Sequence, residues 1–435
     1  MFKKINALLL CLLICGCSFL QQSHSQAFWG QHFGSSYGTP AESGVSSTDY
    51  SHVDLGNQNS FRVAMLLPLS GNDSGVGESM KNAAMMAVGD INNNNLVVQF
   101  YDTKGTGSGA RVAFENALNA KSDLILGPLK AEEVVAISNE ALSKNVPVVS
   151  FSTSPNVLQE GVYSIGLLSD DQIKRIVRYS SDQGRRRLAA VLPDNQSGIN
   201  MFKSLLKAGQ KYGVEITKVG FYSPTAMDFG GLVTSMIASR SGGDVGFDAL
   251  LVPEFGNRLK AITSMFSYYD VSAPDVLFMG TSVWANTGLS KETELYGAVY
   301  PVMPLSRIED FNQKYSELFG SRPHSLGIYA YDAVTMASIL SHGNRDDLNE
   351  EITRNEGFSG MSGAFRILPN GLNEHGLDVV KITAEGPQLL EAAMQQFYGS
   401  VNAYGYMPEN NGYVTMPQIY GKDAETVRAA INTMQ

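Results

Sequence analysis

From Phe61 onward, short apolar runs alternate with stretches whose apolar positions recur every three or four residues. Arg62–Leu67 is the first run, stopped at Pro68. Leu96–Tyr101, Asp123–Leu126, Val146–Ser150, Leu188–Leu192, Glu215–Tyr222, Ala249–Val252 and Val276–Met279 repeat it. Helical spacing between them predicts helices over 78–91, 110–120, 131–144, 170–183, 198–212, 228–239 and 257–269. Strands that are apolar along their whole length need cover on both faces, which is the property of parallel sheets flanked by helices. Right-handed crossovers then give doubly wound α/β domains. Roughly nine strands are too many for one compact twisted sheet, so two similar lobes are expected. The rhythm loosens around Tyr163–Leu168, a first crossing between them.

Further on, the pattern predicts a strand over Tyr296–Val302 and helices over Ser306–Phe319 and Leu326–Ser341. An antiparallel pair from Phe358–Ile367 and Val379–Thr383, with Asn370-Gly371 as a turn signal, is expected to close one lobe. Residues 388–435 read as a helical start, a Tyr/Gly/Asn-rich middle and a short helix from Asp423. Doubly wound sheets hold ligands beyond the carboxyl ends of their strands. The residues to watch are therefore Pro68–Gly71, Thr103, Gly127–Ala131, Ser150–Ser154, Pro193–Gly198 and Pro253–Gly256.

The N-terminus carries a different pattern. Lys3 and Lys4 precede an apolar stretch, Ala7–Cys15, too short to span a bilayer comfortably. Ile14-Cys15-Gly16-Cys17 resembles a bacterial lipobox, departing from it at Cys15, and implies lipidation of Cys17; the alternative is a plain signal peptide with a spare cysteine. Ser18 after that cysteine favours the outer membrane if the source is Gram-negative. Residues 18–60 are rich in Ser, Gly, Gln and Thr without period, as in a flexible tether. Gly34-Ser35-Ser36-Tyr37-Gly38 matches GxSxG but lies in this tether, without the strand and helix that the motif requires.

Composition removes several functions. All three cysteines lie at positions 11, 15 and 17, so the body has no disulfide framework, cysteine zinc site or cysteine nucleophile. The formal net charge of -10 argues against nucleic-acid binding. Gly105-Thr-Gly107-Ser-Gly109 lacks dinucleotide spacing, and no Walker A string occurs. Ser204-Leu-Leu-Lys207 lacks the companion motifs of the Ser-x-x-Lys enzymes. His324, His342 and His375 show no metal-binding spacing. No catalytic residue, metal or cofactor is assigned, and a non-enzyme is expected.

Five strings in order resemble type I periplasmic-binding proteins of the leucine/isoleucine/valine-binding branch. They are Leu66-Leu67-Pro68-Leu69-Ser70-Gly71, Ile125-Leu126-Gly127-Pro128, Pro147–Ser150 with Ser152-Thr153, Ala330-Tyr331-Asp332-Ala333, and Phe358-x-Gly360-x-x-Gly363 with Asn370-Gly371. The resemblance covers roughly residues 61–386. It implies two Rossmann-like lobes joined by three hinge crossings, with ligand between them. Lobe 1 is expected at about 61–165 and 296–341, and lobe 2 at about 166–295 and 342–386. Residues 1–16 are assigned to a lipoprotein signal peptide, 17–60 to the lipidated cysteine and tether, and 387–435 to a C-terminal extension.

The resemblance also implies a ligand cleft lined by Ser70, Gly71, Lys130, Ala131, Ser152, Thr153, Ser197 and Glu254. Amino-acid receptors of this family place a carboxylate-binding Ser where this chain has Ala131, and an aromatic residue where it has Ser197. Thr153 matches the family's anion-binding Thr, and Glu254 its ammonium-binding Glu. Leu67-Pro68-Leu69-Ser70-Gly71, Tyr101-Asp102-Thr103 and Gly127-Pro128-Leu129 followed by Glu132 or Glu133 look like the penicillin-binding-protein activator lipoproteins. Two readings therefore stand. One is a non-catalytic, lipid-anchored activator or scaffold whose partner is a peptidoglycan synthase. The other is the substrate-binding receptor of an ABC importer for amino acids. A small-molecule ligand, an amino acid or a muropeptide, is possible in the cleft. Arg185-Arg186-Arg187 could meet an acidic partner or form a solvated turn.

Overall fold

The computed structural model describes residues 60–238, 243–286, 288–398, 416–422, 425–427 and 429. The signal segment, Cys17 and the tether lie outside the described residues. The first lobe is a five-stranded parallel sheet. Its strands are β1 (Phe61–Leu67), β2 (Leu96–Asp102), β3 (Leu124–Leu126), β4 (Val148–Ser150) and β5 (Val162–Ser164), in spatial order β2-β1-β3-β4-β5. Helix α1 (Ser74–Ile91) covers one face, and α2 (Gly107–Asn119) and α3 (Ala131–Ser143) cover the other. Leu124, Ile125 and Leu126 are all buried, as a strand covered on both faces requires.

The chain then builds the second lobe. Its elements are α4 (Ser169–Asp182), β6 (Arg187–Pro193), α5 (Gln196–Tyr212), β7 (Glu215–Tyr222), α6 (Gly230–Ile237), β8 (Ala249–Leu251), α7 (Gly256–Tyr268), β9 (Leu277–Met279) and β10 (Val299–Val302). Helices α8 (Leu305–Phe319) and α9 (Gly327–Leu340) return to the first lobe, where α9 packs on α1. Helix α9 is apolar around nearly its whole circumference and correspondingly buried. The short α10 (Leu348–Ile352) leads to a small antiparallel sheet of β11 (Phe358–Gly360), β12 (Gly363–Ile367) and β13 (Asn373–His375). Strands β14 (Asp378–Thr383) and β15 (Gly386–Glu391) rejoin the second sheet, and β16 (Gln418–Tyr420) closes its far edge. The second sheet has the order β15-β14-β10-β9-β8-β6-β7-β16.

Four expectations differ from this arrangement. Residues 342–386, assigned with the second lobe, divide: α10 and the small sheet pack on the first-lobe core through Leu348, Ile352, Phe358, Phe365 and Ile367, and only β14 and the start of β15 join the second sheet. Residues 299–302, assigned with the first lobe, lie inside the second sheet, with β9 on one side and β14 on the other. All four are buried, and the chain crosses back only at Met303-Pro304. Residues 358–367 and 379–383 do not pair. Phe358, Phe365 and Ile367 belong to the first-lobe core, whereas Val379 and Val380 pack into the second. Residues 388–391, the beginning of the stretch read as a helical start, belong to a strand on β14, since Gly386-Pro387 at its head suits an extended edge better than a helix.

The chain passes between the lobes after β5, after β10 and between β13 and β14. Charged groups brace this junction. Asp171 in the first turn of α4 accepts the His375 backbone N–H at 2.6 Å. Lys174 meets Glu374 at 2.5 Å, and Glu374 also takes Arg366. Arg175 donates to the Leu377 carbonyl at 3.0 Å. Buried Asp332 on α9 accepts from the Met361 and Ser362 backbone N–H groups, at 2.6 and 2.8 Å, and so fixes the small sheet to the first lobe. Burial raises this carboxyl to about 6, even with the Ser362 and Met361 hydrogen bonds opposing. The Tyr331-Asp332 pair of the sequence motif thus serves packing, with Tyr331 donating to Asp90 at 2.8 Å.

Candidate ligand-binding cleft

Crossings leave from the carboxyl ends of β5 and β10, so each lobe turns that edge of its parallel sheet toward the junction. Six of the eight candidate residues lie in the loops that follow parallel strands, and Ala131 and Ser197 lie in the first turns of the helices that come next, α3 and α5.

In the first lobe the loop after β1 is held by Asp102, at the end of β2. Its carboxylate accepts the Leu69 N–H at 2.9 Å, the Ser70 N–H at 3.1 Å, the Ser70 hydroxyl at 2.6 Å and the Lys104 N–H at 2.8 Å. Burial pushes Asp102 up, but the hydrogen bonds from Ser70, Lys104 and Leu69 outweigh it and leave the carboxyl below its ordinary value. Ser70 is exposed, yet its hydroxyl is already engaged. Gly71 has φ +83°, and a Cβ there would press on the Lys104 carbonyl at 3.1 Å, so its glycine is a backbone requirement.

Lys130 bridges loops rather than standing free. Its ammonium lies 2.5 Å from Asp73 and donates to the Gly105 carbonyl at 3.1 Å. The hydrogen bond to Asp73 raises its pKa. Its backbone N–H donates to Glu133 at 2.8 Å, which starts α3 at Ala131. Glu133 is fully buried, and burial raises its pKa. Ser152 is buried and accepts the Ser154 N–H at 3.3 Å, a loop-closing bond. Thr153 next to it is exposed.

In the second lobe Asn195 caps α5 by accepting the Gly198 N–H at 3.0 Å, leaving Ser197 exposed on the first turn. Asp194 pairs with Lys422, which comes from beyond β16. Glu254 is buried at 8% exposure and receives the Tyr222 hydroxyl, with the Arg258 guanidinium 3.6 Å away. Burial and then Glu254 hold the Tyr222 hydroxyl far above its ordinary value, so it stays a donor. The Trp284 indole N–H donates to the Glu254 carbonyl at 2.9 Å. Phe255 follows and is 57% exposed at the start of α7.

The candidates thus follow the carboxyl ends of strands in both sheets, and their states differ. Thr153 and Ser197 present exposed side chains, whereas Ser70, Lys130, Ser152 and Glu254 are engaged by Asp102, Asp73, Ser154 and Tyr222. Sequence reasoning missed Arg258, Tyr222 and Lys422, while Phe255 lies within the Pro253–Gly256 stretch that it marked. Arg258 stands four residues after Glu254, a helical pairing distance that could have been read. Lys422 gave no signal, since its partner is 228 residues away. A pocket of about 270 Å³ lies by Tyr222, Phe229 and Gly421, and one of about 520 Å³ by Arg187 and Asp248; no candidate residue lines either. Arg185 and Arg187 are taken up locally, Arg185 by the Pro274 and Asp275 carbonyls and Arg187 by Asp244. Among the described residues no group of three or more His, Cys, Asp or Glu is placed to hold a metal ion. Among them, too, no helix is long and apolar enough to cross a membrane.

The periplasmic binding protein family model matches residues 60–387. The chain is 24% identical over 139 residues to an uncharacterized protein, RP748, of Rickettsia prowazekii. That match covers 32% of this chain and only 37% of the relative's length. Solved structures share the fold over most of the chain. A Rhodospirillum rubrum protein provisionally assigned to branched-chain amino acid ABC transport aligns with a TM-score of 0.67 at 13% identity, covering 76% of this chain and 100% of its own. A branched-chain amino acid transporter substrate-binding protein of Streptococcus pneumoniae, solved with isoleucine, aligns with a TM-score of 0.54 at 16% identity, covering 76% and 99%.

Proposed function

The chain belongs to the periplasmic binding protein family, and from that premise we propose that it is an extracytoplasmic receptor that closes its two lobes on a small solute. The observation that carries this reading is the pair of exposed hydroxyl residues, Thr153 and Ser197, on the carboxyl edges of opposite lobes that share three crossings. Hinge closure would bring both onto one ligand. Binding at a concentration about 100 times the Kd adds about 2.7 kcal/mol to stability. The test is a thermal-shift screen of the full chain against amino acids, short peptides, muropeptides and small organic acids, with small-angle scattering to follow closure. A stabilising solute whose effect falls in Thr153→Ala supports the receptor; a screen without any hit removes it.

One observation favours a second reading, an activator or scaffold of peptidoglycan synthases. Ala131 replaces the carboxylate-binding serine of the family's amino-acid receptors, and the chain continues beyond the family match with strands on both edges of the second sheet. Co-purification with penicillin-binding proteins, retained when Thr153 is replaced by Ala, would support it. On either reading Cys17 anchors the protein, which mass spectrometry of the acylated N-terminal peptide would test.

A further inference from the structure

The chain runs on past the family match, and the first residues beyond it pass from the second lobe toward the first. Strand β15 leaves the second sheet at Glu391. Residues 392–398 follow without helix or strand structure, and only Ala393 and Phe397 are buried among them. Both lie where the segment meets the junction. The Ala393 N–H donates to Asp378 at 2.8 Å, and the other oxygen of that carboxylate takes the Leu305 N–H at 3.1 Å. Asp378 heads β14, just after the third crossing, and Leu305 starts α8, just after the second, so one carboxylate ties the segment to both. Gly376 lies inside the third crossing and permits the close approach: a Cβ there would stand 2.6 Å from the Met394 carbonyl oxygen. Further on, the Phe397 ring reaches the first lobe, its centre 4.7 Å from the guanidinium carbon of Arg366 on β12. Gln395 accepts from Arg307 at 3.4 Å, and Arg307 also donates to the Ser359 hydroxyl and the Gly360 carbonyl on β11.

We propose that residues 392–398 are a strap that holds the two lobes in this orientation, so that rotation about the three crossings requires Phe397 to come off Arg366. The proposal depends on neither reading of the function. An irregular segment keeps one path only where its contacts offset the entropy of ordering it, and here those contacts are Asp378, Gly376 and Arg366. Arg366 is largely desolvated, at 14% side-chain exposure, where a cation over a ring is held most strongly. The same guanidinium takes Glu374, the partner of Lys174 on α4, so the ring caps a row of charges that already spans the lobes.

Hydrogen exchange of the full chain, read by mass spectrometry, tests it. The Leu305 and His375 amides are the reporters, because each donates across the junction, to Asp378 and to Asp171. Phe397→Ala is expected to speed both about tenfold, while the Ile125 and Ala190 amides inside the two sheets keep the parent rate. Phe397→Leu keeps apolar cover without the face of a ring and should fall between the two, which separates a loosened strap from a variant that unfolds. Tyr398→Ala, at the exposed neighbour, should leave all these rates unchanged. Acceleration confined to 392–398 overturns the proposal, since the segment would then rest on the junction without holding it. Acceleration spread through both sheets in Phe397→Ala and Phe397→Leu overturns it as well, since the ring would then support the fold as a whole. An equal response to Tyr398→Ala overturns the role of the Phe397–Arg366 contact.

Discussion

Replacing His375 by Phe removes the least favourable titration in the junction between the lobes. The ring is buried at 5% exposure, stacked on Phe365 at 5.8 Å and set edge-on to Tyr329 at 6.2 Å. Neither ring nitrogen has a hydrogen-bond partner among the described residues. Burial lowers its pKa from 6.5 to about 4, and the nearby Ile165 backbone offsets this only in part. The folded state therefore binds this proton more weakly than the unfolded chain. The associated stability is present above the unfolded value of 6.5 and is lost as pH falls toward 4. At about 1.4 kcal/mol per pH unit the loss is about 3 kcal/mol. Asp171, which accepts the His375 backbone N–H, runs the opposite way. Burial raises it from 3.8 to about 7, so its protonated folded form resists acid across the same window as ionisation costs it stability toward neutrality. The parent protein should accordingly show a shallow stability profile between pH 4 and 7, in which the two slopes cancel. In His375→Phe the Asp171 slope stands alone, and stability should rise by about 3 kcal/mol from neutral pH to pH 4 relative to the parent. Urea unfolding of both proteins at half-unit pH steps, followed by circular dichroism, measures the difference directly. Since the ring makes no hydrogen bond and Phe keeps both ring contacts, the variant should be within about 1 kcal/mol of the parent at pH 7.5. Parallel profiles, or a large loss at pH 7.5, would refute the reasoning.

Asp332→Ala leaves the half-buried Met361 and buried Ser362 N–H groups without their acceptor and should cost about 3 kcal/mol in urea unfolding, with Asp332→Asn costing less. Asp102→Ala should cost about 1–2 kcal/mol and speed hydrogen exchange at the Leu69, Ser70 and Lys104 amides, while the helix amides of α1 keep their protection. Gly198→Ala places a Cβ against the Pro193 carbonyl at the first turn of α5, so it should lower stability by about 1–3 kcal/mol and weaken any ligand that touches Ser197.

Much of the fold was readable because its strands are short, apolar throughout and separated by helices of regular spacing. Glu215–Tyr222 and Ala131–Ser143 were legible almost to the residue, the second because Lys130 and Glu133 form its start. The lobe to which a strand belongs was not legible. Val299–Val302 is apolar and would suit either sheet; its place follows from the long-range pairing of Val302 with Asp378 and Val299 with Lys381. Local pattern carries no term for such a partner.

The site divides along the same line. Position along the fold was legible, since each of the eight residues comes shortly after a parallel strand of its sheet. Availability was not. Whether Glu254 is a vacant acceptor or a paired one depends on Tyr222 and Arg258, and whether Asp194 carries a free charge depends on Lys422 at the other end of the chain. Matching a carboxylate to its family position identifies where a ligand group could be held but leaves open what already holds the carboxylate. In this chain the second question reverses the first answer: the acidic residue retained at the ammonium position argues for an amino acid only until its two neighbours, Tyr222 and Arg258, are counted.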